Sequence, residues 1–227
     1  NNVSLDLTID YESLSNSKYG KKLLEKINNH SSSNLINFIG ERKHSDIPML
    51  IERYDIFVFS DFRHGMLNNL TINKILKSIP KNSFKVADSQ VASRWGNISD
   101  FKNFELLTPT EREARYSLFE QDTPLRNLLS NLVKKAKAKN IILKLGEKGL
   151  ISMSKSKSDY VALDPFVDNL IDSNGAGDAL LAYSAAALFK TKSIIIASIV
   201  GLLAASCKCE VQGNLPISIN DIINKIN

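Results

Sequence analysis

Short apolar runs that alternate with helical patterns dominate the chain after residue 55. Four of these runs have the composition of strands buried on both faces, namely Ile56–Ser60, Phe84–Asp88, Phe104–Thr108 and Ile141–Leu145. Helical patterns over Leu70–Ile79 and Pro124–Lys139 follow the first and third runs. Because buried strands that alternate with helices form parallel sheets, the pattern predicts an α/β fold with three layers, α/β/α, around a mainly parallel sheet.

The two ends of the chain have other patterns. Val3–Ile9 alternates apolar and polar residues, which predicts a half-buried strand. Residues 146–149 predict a turn, with Leu150–Met153 as the hairpin partner of the fourth run and Tyr160–Leu163 as one more strand. The chain is predicted to be largely helical from Asp178 to about residue 208, with an apolar helix over Ala179–Phe189 and a buried helix over Ile194–Cys207.

Charge and composition narrow the classes of partner. The net charge of +5 comes from 29 basic and 24 acidic residues, which suits an anionic small ligand but is too small and scattered for nucleic acid. The longest apolar run, Ile194–Cys207, is shorter than the ~20 residues that span a bilayer. Cys207 and Cys209 are too close to form a good disulfide, which favours reduced thiols. We therefore expect a cytoplasmic protein that binds neither membranes nor nucleic acid.

A glycine-rich run, Ser173–Gly177, leads directly into an apolar helix. Small residues let a ligand approach the backbone, and the free N–H groups and dipole at a helix start favour an anion. Asp178 falls in the first turn, where its carboxylate could accept a proton from an attacking hydroxyl. Spacing alone equally fits a glycine-rich cap whose aspartate only stabilises the helix dipole.

The run Asp172–Asp178 resembles the C-terminal signature of the ribokinase-like (PfkB) family of carbohydrate kinases. The resemblance implies that Gly175, Ala176 and Gly177 form an anion hole, that Asp178 is the catalytic base, and that Asn174 contacts the nucleotide. Tyr183 departs from the family, which has a small residue at that position.

Two further segments resemble nucleotide-side motifs of the same family. Lys144–Gly149 is similar to its nucleotide-binding strand and turn, which implies nucleotide contacts from Lys144, Gly146 and Gly149; taken alone, the segment reads more readily as a plain hairpin turn. Leu106–Glu113 resembles the segment that usually reads Pro-Asn-x-x-Glu, which implies that Glu113 binds magnesium and phosphate. The same residues also fit a helix start rich in carboxylates.

Several features separate this chain from typical family members. Thr110 replaces the usual Asn of the Pro-Asn-x-x-Glu segment, and Leu202 stands where many members carry Asn. The family's N-terminal part, with its Gly-Gly motif and sugar-gripping Asp, has no match before Asn1. We therefore expect residues 1–227 to be a kinase domain without its N-terminal segment, in which residues 1–40 form a strand region derived from a lid.

The segment Phe59–Gly65 resembles the Ser-Asp-Tyr-x-x-Gly of the heptose-phosphate kinase branch. The resemblance implies ATP- and Mg²⁺-dependent phosphorylation of a sugar or sugar phosphate, with a heptose phosphate for surface polysaccharide as the narrower choice. Arg63 and His64 would then face phosphates, although such a pair is usually just solvated surface. The branch also implies a fused or partner nucleotidyltransferase domain, and the family implies a homodimer. The alternative is a non-catalytic, nucleotide-binding or scaffolding relative.

Overall fold

The computed structural model describes residues 5–7, 36–38, 53–63, 65–91, 96–156, 160–213 and 215–226, the first two ranges by their backbone alone. The chain divides into two compact units, Asn1–Arg53 and Tyr54–Asn227. In the first unit, β1 (Leu5–Leu7) pairs in parallel with β2 (Ile36–Phe38). The strand predicted within Val3–Ile9 is therefore present in its central part.

The second unit is built on a sheet of six strands. In sheet order these strands are β3 (Ile56–Asp61), β4 (Phe84–Ser89), β5 (Leu106–Leu107), β6 (Asn140–Lys144), β7 (Leu150–Ser154) and β8 (Tyr160–Leu163). The strands from β3 to β6 are parallel, and β7 and β8 are antiparallel to their neighbours. This arrangement confirms the predicted mainly parallel sheet and the predicted hairpin.

Six described α-helices belong to this unit. They are α1 (Asn69–Ser78), α2 (Glu111–Leu118), α3 (Leu125–Ala136), α4 (Ala176–Thr191), α5 (Ile194–Cys209) and α6 (Ile219–Ile226). The helical stretch predicted from Asp178 onward is interrupted between α4 and α5. Lys192 has a φ of +57° and ends α4, and the Ser193 side chain accepts a hydrogen bond from Ile196 and begins α5. Within the described part of the chain, no helix is long and apolar enough to cross a membrane.

The sheet is buried on both faces because its core residues alternate in direction. Val86, Leu106 and Ile142 pack in one cluster with apolar residues of α4 and α5. The strand neighbours Leu107 and Ile141 are also fully buried, and they must point to the opposite face since successive strand residues do so. Contacts of α3 with β6 and β7 cover that side. The helices and sheet thus form the three predicted layers.

The third predicted strand is shorter than its apolar run. Only Leu106 and Leu107 pair with β4 as a regular strand. Phe104 is completely buried, but its carbonyl accepts a hydrogen bond from the Lys139 N–H at 2.9 Å and not from a neighbouring strand. The pattern of burial therefore extends further than the pattern of strand pairing.

Candidate active site

A cavity of about 330 Å³ lies where β4 and β6 end and α4 begins. Its described lining consists of Asp88, Gln90, Val91, Thr110, Glu113, Lys144, Ser173, Asn174, Gly175, Gly177 and Asp178. Ligands of parallel α/β sheets bind at the carboxyl ends of strands, which is where these residues converge. The cavity is therefore the candidate active site.

The glycine run turns the chain sharply into α4. Gly175 has a φ of +80°, a left-handed conformation that favours glycine, and its carbonyl accepts the Ala179 N–H at 2.9 Å. Among the described residues, no acceptor is bonded to the backbone N–H groups of Gly177 and Asp178. These donors and the positive end of the helix dipole make the first turn of α4 suitable for an anion.

Asp178 lies in that first turn with an exposed side chain. Its Oδ1 atom accepts a long hydrogen bond of 3.5 Å from the hydroxyl of Ser60, which belongs to β3. The carboxylate therefore borders the cavity and has room to accept a proton from a bound hydroxyl.

A hydrogen-bond network attaches the loop before α4 to the residues around the end of α5. Asp172 accepts hydrogen bonds from the backbone N–H groups of Asn174 at 3.0 Å and Gly213 at 3.1 Å. These two bonds lower the pKa of the Asp172 carboxyl. The ammonium of Lys208, a buried residue, donates to the Gly213 carbonyl. The loop that carries Asn174 is thus tied to the end of α5.

Asp88 and Lys144 form the ion pair of the cavity. Oδ2 of Asp88 lies 2.8 Å from the Lys144 ammonium, whereas Oδ1 is buried and has no hydrogen-bond partner among the described residues. Burial raises the pKa of Asp88 to about 6; Lys144 opposes the increase, and the charges of Glu113 and Asp178 add to it. At pH 7 Asp88 is therefore ionised, although the environment disfavours its charge.

Glu113 is buried at the start of α2 and takes part in a capping box with Thr110. Oε2 of Glu113 accepts the Thr110 N–H at 2.7 Å, and the Thr110 hydroxyl accepts the Glu113 N–H at 3.2 Å. This pattern satisfies donors that the helix start leaves unpaired. The alternative reading of the segment, a carboxylate-rich helix start, is therefore realised, while Glu113 also lines the cavity.

Most of the predicted site residues come together in this cavity. Six of them line it, namely Glu113, Lys144, Asn174, Gly175, Gly177 and Asp178. Ala176, Gly146 and Gly149 are not part of the lining. Gly149 has a packing reason of its own, since its φ is +75° and a Cβ atom would lie 2.0 Å from the Leu163 carbonyl oxygen.

The departures from the family pattern are accommodated inside the fold. Tyr183 donates a hydrogen bond from its hydroxyl to the Ile217 carbonyl and packs beside a small core cluster that includes Ile222 of α6. Leu202 is buried in the main core.

Arg63 forms an ion pair with the buried Asp61 at 2.6 Å, and His64 lies outside the described residues.

Asp88 is the main site residue that the sequence analysis missed. It was recognised only as the end of a buried strand. The available signal was weak: a carboxylate at the carboxyl end of a parallel strand lies where ligands bind. Its link to Lys144, 56 residues further along the chain, appears only in the folded structure.

Comparisons with known proteins agree with this architecture. The family model described as "pfkB family carbohydrate kinase" matches residues 8–219. The "Bifunctional protein HldE" of Sulfurimonas denitrificans is 27% identical over 210 residues, which cover 90% of this chain and 41% of that protein. The chain thus spans less than half of this curated relative.

Two solved structures show the same fold at low sequence identity. Phosphofructokinase-2 from Escherichia coli, in complex with potassium, has a TM-score of 0.70 at 16% identity, covering 92% of this chain and 78% of that one. Ribokinase from Arabidopsis thaliana, complexed with ribose and ATP, has a TM-score of 0.65 at 20% identity, with coverages of 80% and 59%. Both similarities support the ribokinase-like fold class.

Proposed function

The chain belongs to the pfkB family of carbohydrate kinases, and on that premise we propose that it transfers the terminal phosphate of ATP to a hydroxyl of a sugar or sugar phosphate. Asp178 serves as the base that accepts the proton of the attacking hydroxyl. The backbone of Gly175–Gly177 at the start of α4 stabilises the charge on the transferred phosphate.

One observation carries this proposal. The carboxylate of Asp178 shares the first helical turn, at the edge of the cavity, with the backbone N–H groups of Gly177 and Asp178, which have no acceptor among the described residues. Phosphoryl transfer requires little covalent chemistry from the protein, and depends on positioned donors for the phosphate and on orientation of the attacking hydroxyl. The presence of N–H donors and a candidate base within one turn supports the proposal.

The donor set also fits magnesium that arrives with a nucleotide. Among the described residues, no group of three His, Cys, Asp or Glu side chains could hold a metal ion by itself. Mg²⁺ typically binds through one or two carboxylates and completes its shell with substrate phosphates and water. Glu113 would supply such a carboxylate, and a bound Mg²⁺ would neutralise phosphate charge.

The narrower substrate proposal is a heptose phosphate. It rests on the resemblance of Phe59–Gly65 to the heptose-phosphate kinase branch and on the similarity to the HldE protein. The same resemblance supports a fused or partner nucleotidyltransferase domain, and membership of the family supports a homodimer, as further proposals.

The proposed function is tested by transfer of labelled phosphate from ATP to sugars, with the full-length gene product and a panel containing a heptose phosphate and ribose. Wild type is expected to phosphorylate a sugar, and Asp178→Asn to lower kcat at least ~100-fold because general base catalysis contributes about that much. Asp122→Asn, which changes an exposed carboxylate between α2 and α3, is the matched control. Undiminished turnover by Asp178→Asn would falsify the base assignment.

The same assay separates the non-catalytic alternative. A scaffolding or nucleotide-binding relative would bind ADP yet phosphorylate no sugar in the panel, in both wild type and Asp178→Asn. The replacement of the family's Asn by Thr110, which lines the cavity, is the observation that keeps this alternative under test.

A further inference from the structure

The Asp88–Lys144 pair joins two strands that are not neighbours in the sheet. Asp88 belongs to β4 and Lys144 to β6, and the short strand β5 lies between them. The backbone N–H of Lys144 also donates to the Pro109 carbonyl at 2.8 Å, just after β5 ends. The pair therefore spans β5 at the carboxyl edge of the sheet, where both residues line the cavity.

The Lys144 ammonium lies against the first turn of α4. A Cβ atom built on Gly177 would be 3.4 Å from Nζ of Lys144 and 3.9 Å from Oδ2 of Asp88. A cation at this place is disfavoured by the helix dipole, whose N-terminal end is positive. Asp88 offsets that cost by pairing with the ammonium. The Lys144 ammonium can therefore lie beside the positive N-terminal end of α4.

The chemistry of the lining explains why a fixed cation is useful there. Among the described lining residues, Asp88, Glu113 and Asp178 carry carboxylates, and Lys144 carries an ammonium. Three carboxylates repel a polyphosphate, whereas a lysine beside helix N–H groups attracts one. Asp88 is 7% exposed and its Oδ1 atom has no hydrogen-bond partner in the described part of the chain, so the carboxylate is held in place at an energetic cost.

We propose that Asp88 is a positioning residue for phosphoryl transfer, which holds the Lys144 ammonium against the start of α4 so that a fixed positive charge adds to the N–H groups that receive the phosphate. The inference rests on the proposed function for its catalytic part. Asp88 itself does not touch the phosphate; it acts through Lys144.

The test uses Asp88→Asn, Lys144→Gln and the double variant of the full-length protein. Calorimetry measures the affinity for ADP, and the phosphate-transfer assay measures kcat. Lys144→Gln is expected to weaken ADP binding at least tenfold. Asp88→Asn is expected to bind ADP at least as tightly as wild type, because a repelling carboxylate is gone, but to lower kcat at least tenfold because the ammonium is no longer held.

The double variant separates positioning from direct action. If Asp88 acts through Lys144, Asp88→Asn has no further effect on kcat once Lys144 is already Gln. An equal loss of kcat in both backgrounds, or a kcat within twofold of wild type for Asp88→Asn, would overturn the proposal. So would ADP affinity that does not depend on Lys144.

Glu105→Gln is the matched control for a purely structural ion pair. Glu105 pairs with Lys139 at 3.0 Å, has a side chain about as buried as that of Asp88, and lies at the opposite end of the strands. It is expected to lower the melting temperature without changing kcat. If wild type phosphorylates no sugar, the proposed function fails, and ADP affinity then tests the pair by itself: an effect of Asp88→Asn on ADP affinity that changes when Lys144 is Gln supports the coupling, and the same effect in both backgrounds overturns it.

Discussion

The hydroxyl of Ser60 reaches Oδ1 of Asp178 at 3.5 Å and thereby links the end of β3 to the first turn of α4, 118 residues later in the chain. The bond is long and lies at an exposed position, so it orients the carboxylate only weakly. We expect Ser60→Ala to lower kcat by about three- to tenfold, far less than loss of Asp178, the proposed base. Steady-state kinetics of Ser60→Ala beside Asp178→Asn measures the ratio.

The Michaelis constants provide the check on this prediction. Ser60→Ala is expected to leave KM for ATP unchanged, since the residue acts on the orientation of Asp178. A kcat as low as that of Asp178→Asn would show that Ser60 has a direct role.

Glu113 has an observed role as a helix cap and a proposed role as a magnesium ligand, and substitutions can separate the two. Glu113→Gln keeps an oxygen that can accept the Thr110 N–H but loses the charge, whereas Glu113→Ala loses both. We expect Glu113→Gln to leave the free energy of unfolding almost unchanged and to raise the Mg²⁺ concentration needed for half-maximal activity about tenfold or more. Glu113→Ala should show the same kinetic defect and lower the unfolding free energy by about 1 kcal/mol. Denaturant titrations and Mg²⁺ titrations measure the two effects.

Asn68→Ala is the matched control for the loss of a cap. Asn68 forms the same reciprocal box with Thr71 at the start of α1. The Asn68→Ala variant should lose about 1 kcal/mol of unfolding free energy, and its activity should depend on Mg²⁺ as that of wild type does. If Glu113→Gln keeps the Mg²⁺ dependence of wild type, Glu113 is a helix cap alone.

The hydrophobic pattern predicted those elements in which burial and strand pairing coincide. β3 and β4 begin at the predicted residues, Ile56 and Phe84, and each extends one residue further. β5 was overestimated because Phe104 is buried without strand pairing. The break at Lys192 lies in the polar residues between the two predicted apolar helices, Ala179–Phe189 and Ile194–Cys207, and both helices are present as α4 and α5.

The candidate site was predictable where its residues are contiguous in sequence. The run from Asn174 to Asp178 carries the small residues, the helix start and the carboxylate together, so its local structure follows from the sequence. Asp88 gains its importance only from its contact with Lys144 and its burial, both of which depend on the whole sheet. No spacing rule could have found it.

Gly149 and Gly146 offer a matched pair in one turn. Both have positive φ values, of +75° and +63°, but a Cβ atom on Gly149 would collide with the Leu163 carbonyl, whereas one on Gly146 would have no atom of the described residues within 4 Å. We expect Gly146→Ala to cost about 1–2 kcal/mol of unfolding free energy, the usual penalty of the left-handed conformation. Gly149→Ala should cost at least about 2 kcal/mol more because of the collision. Equal losses in denaturant titrations would contradict the packing explanation for Gly149.

Asp88 should make the stability of the protein fall as the pH rises. Burial raises the pKa of Asp88 from 3.8 to about 6, so the folded state binds a proton more tightly than the unfolded state does. The contribution of this group to stability is therefore fully present below pH 3.8 and is lost as the pH rises through about 6. Between pH 5 and pH 8 the loss amounts to about 1.4 kcal/mol.

Comparing wild type with Asp88→Asn isolates this contribution, because all other titrating groups are shared. The unfolding free energy of wild type minus that of the variant should be about 1.4 kcal/mol larger at pH 5 than at pH 8. Urea titrations at several pH values measure the difference. A difference that is constant, or that grows toward pH 8, would mean that Lys144 outweighs burial and holds the pKa of Asp88 at or below its ordinary value.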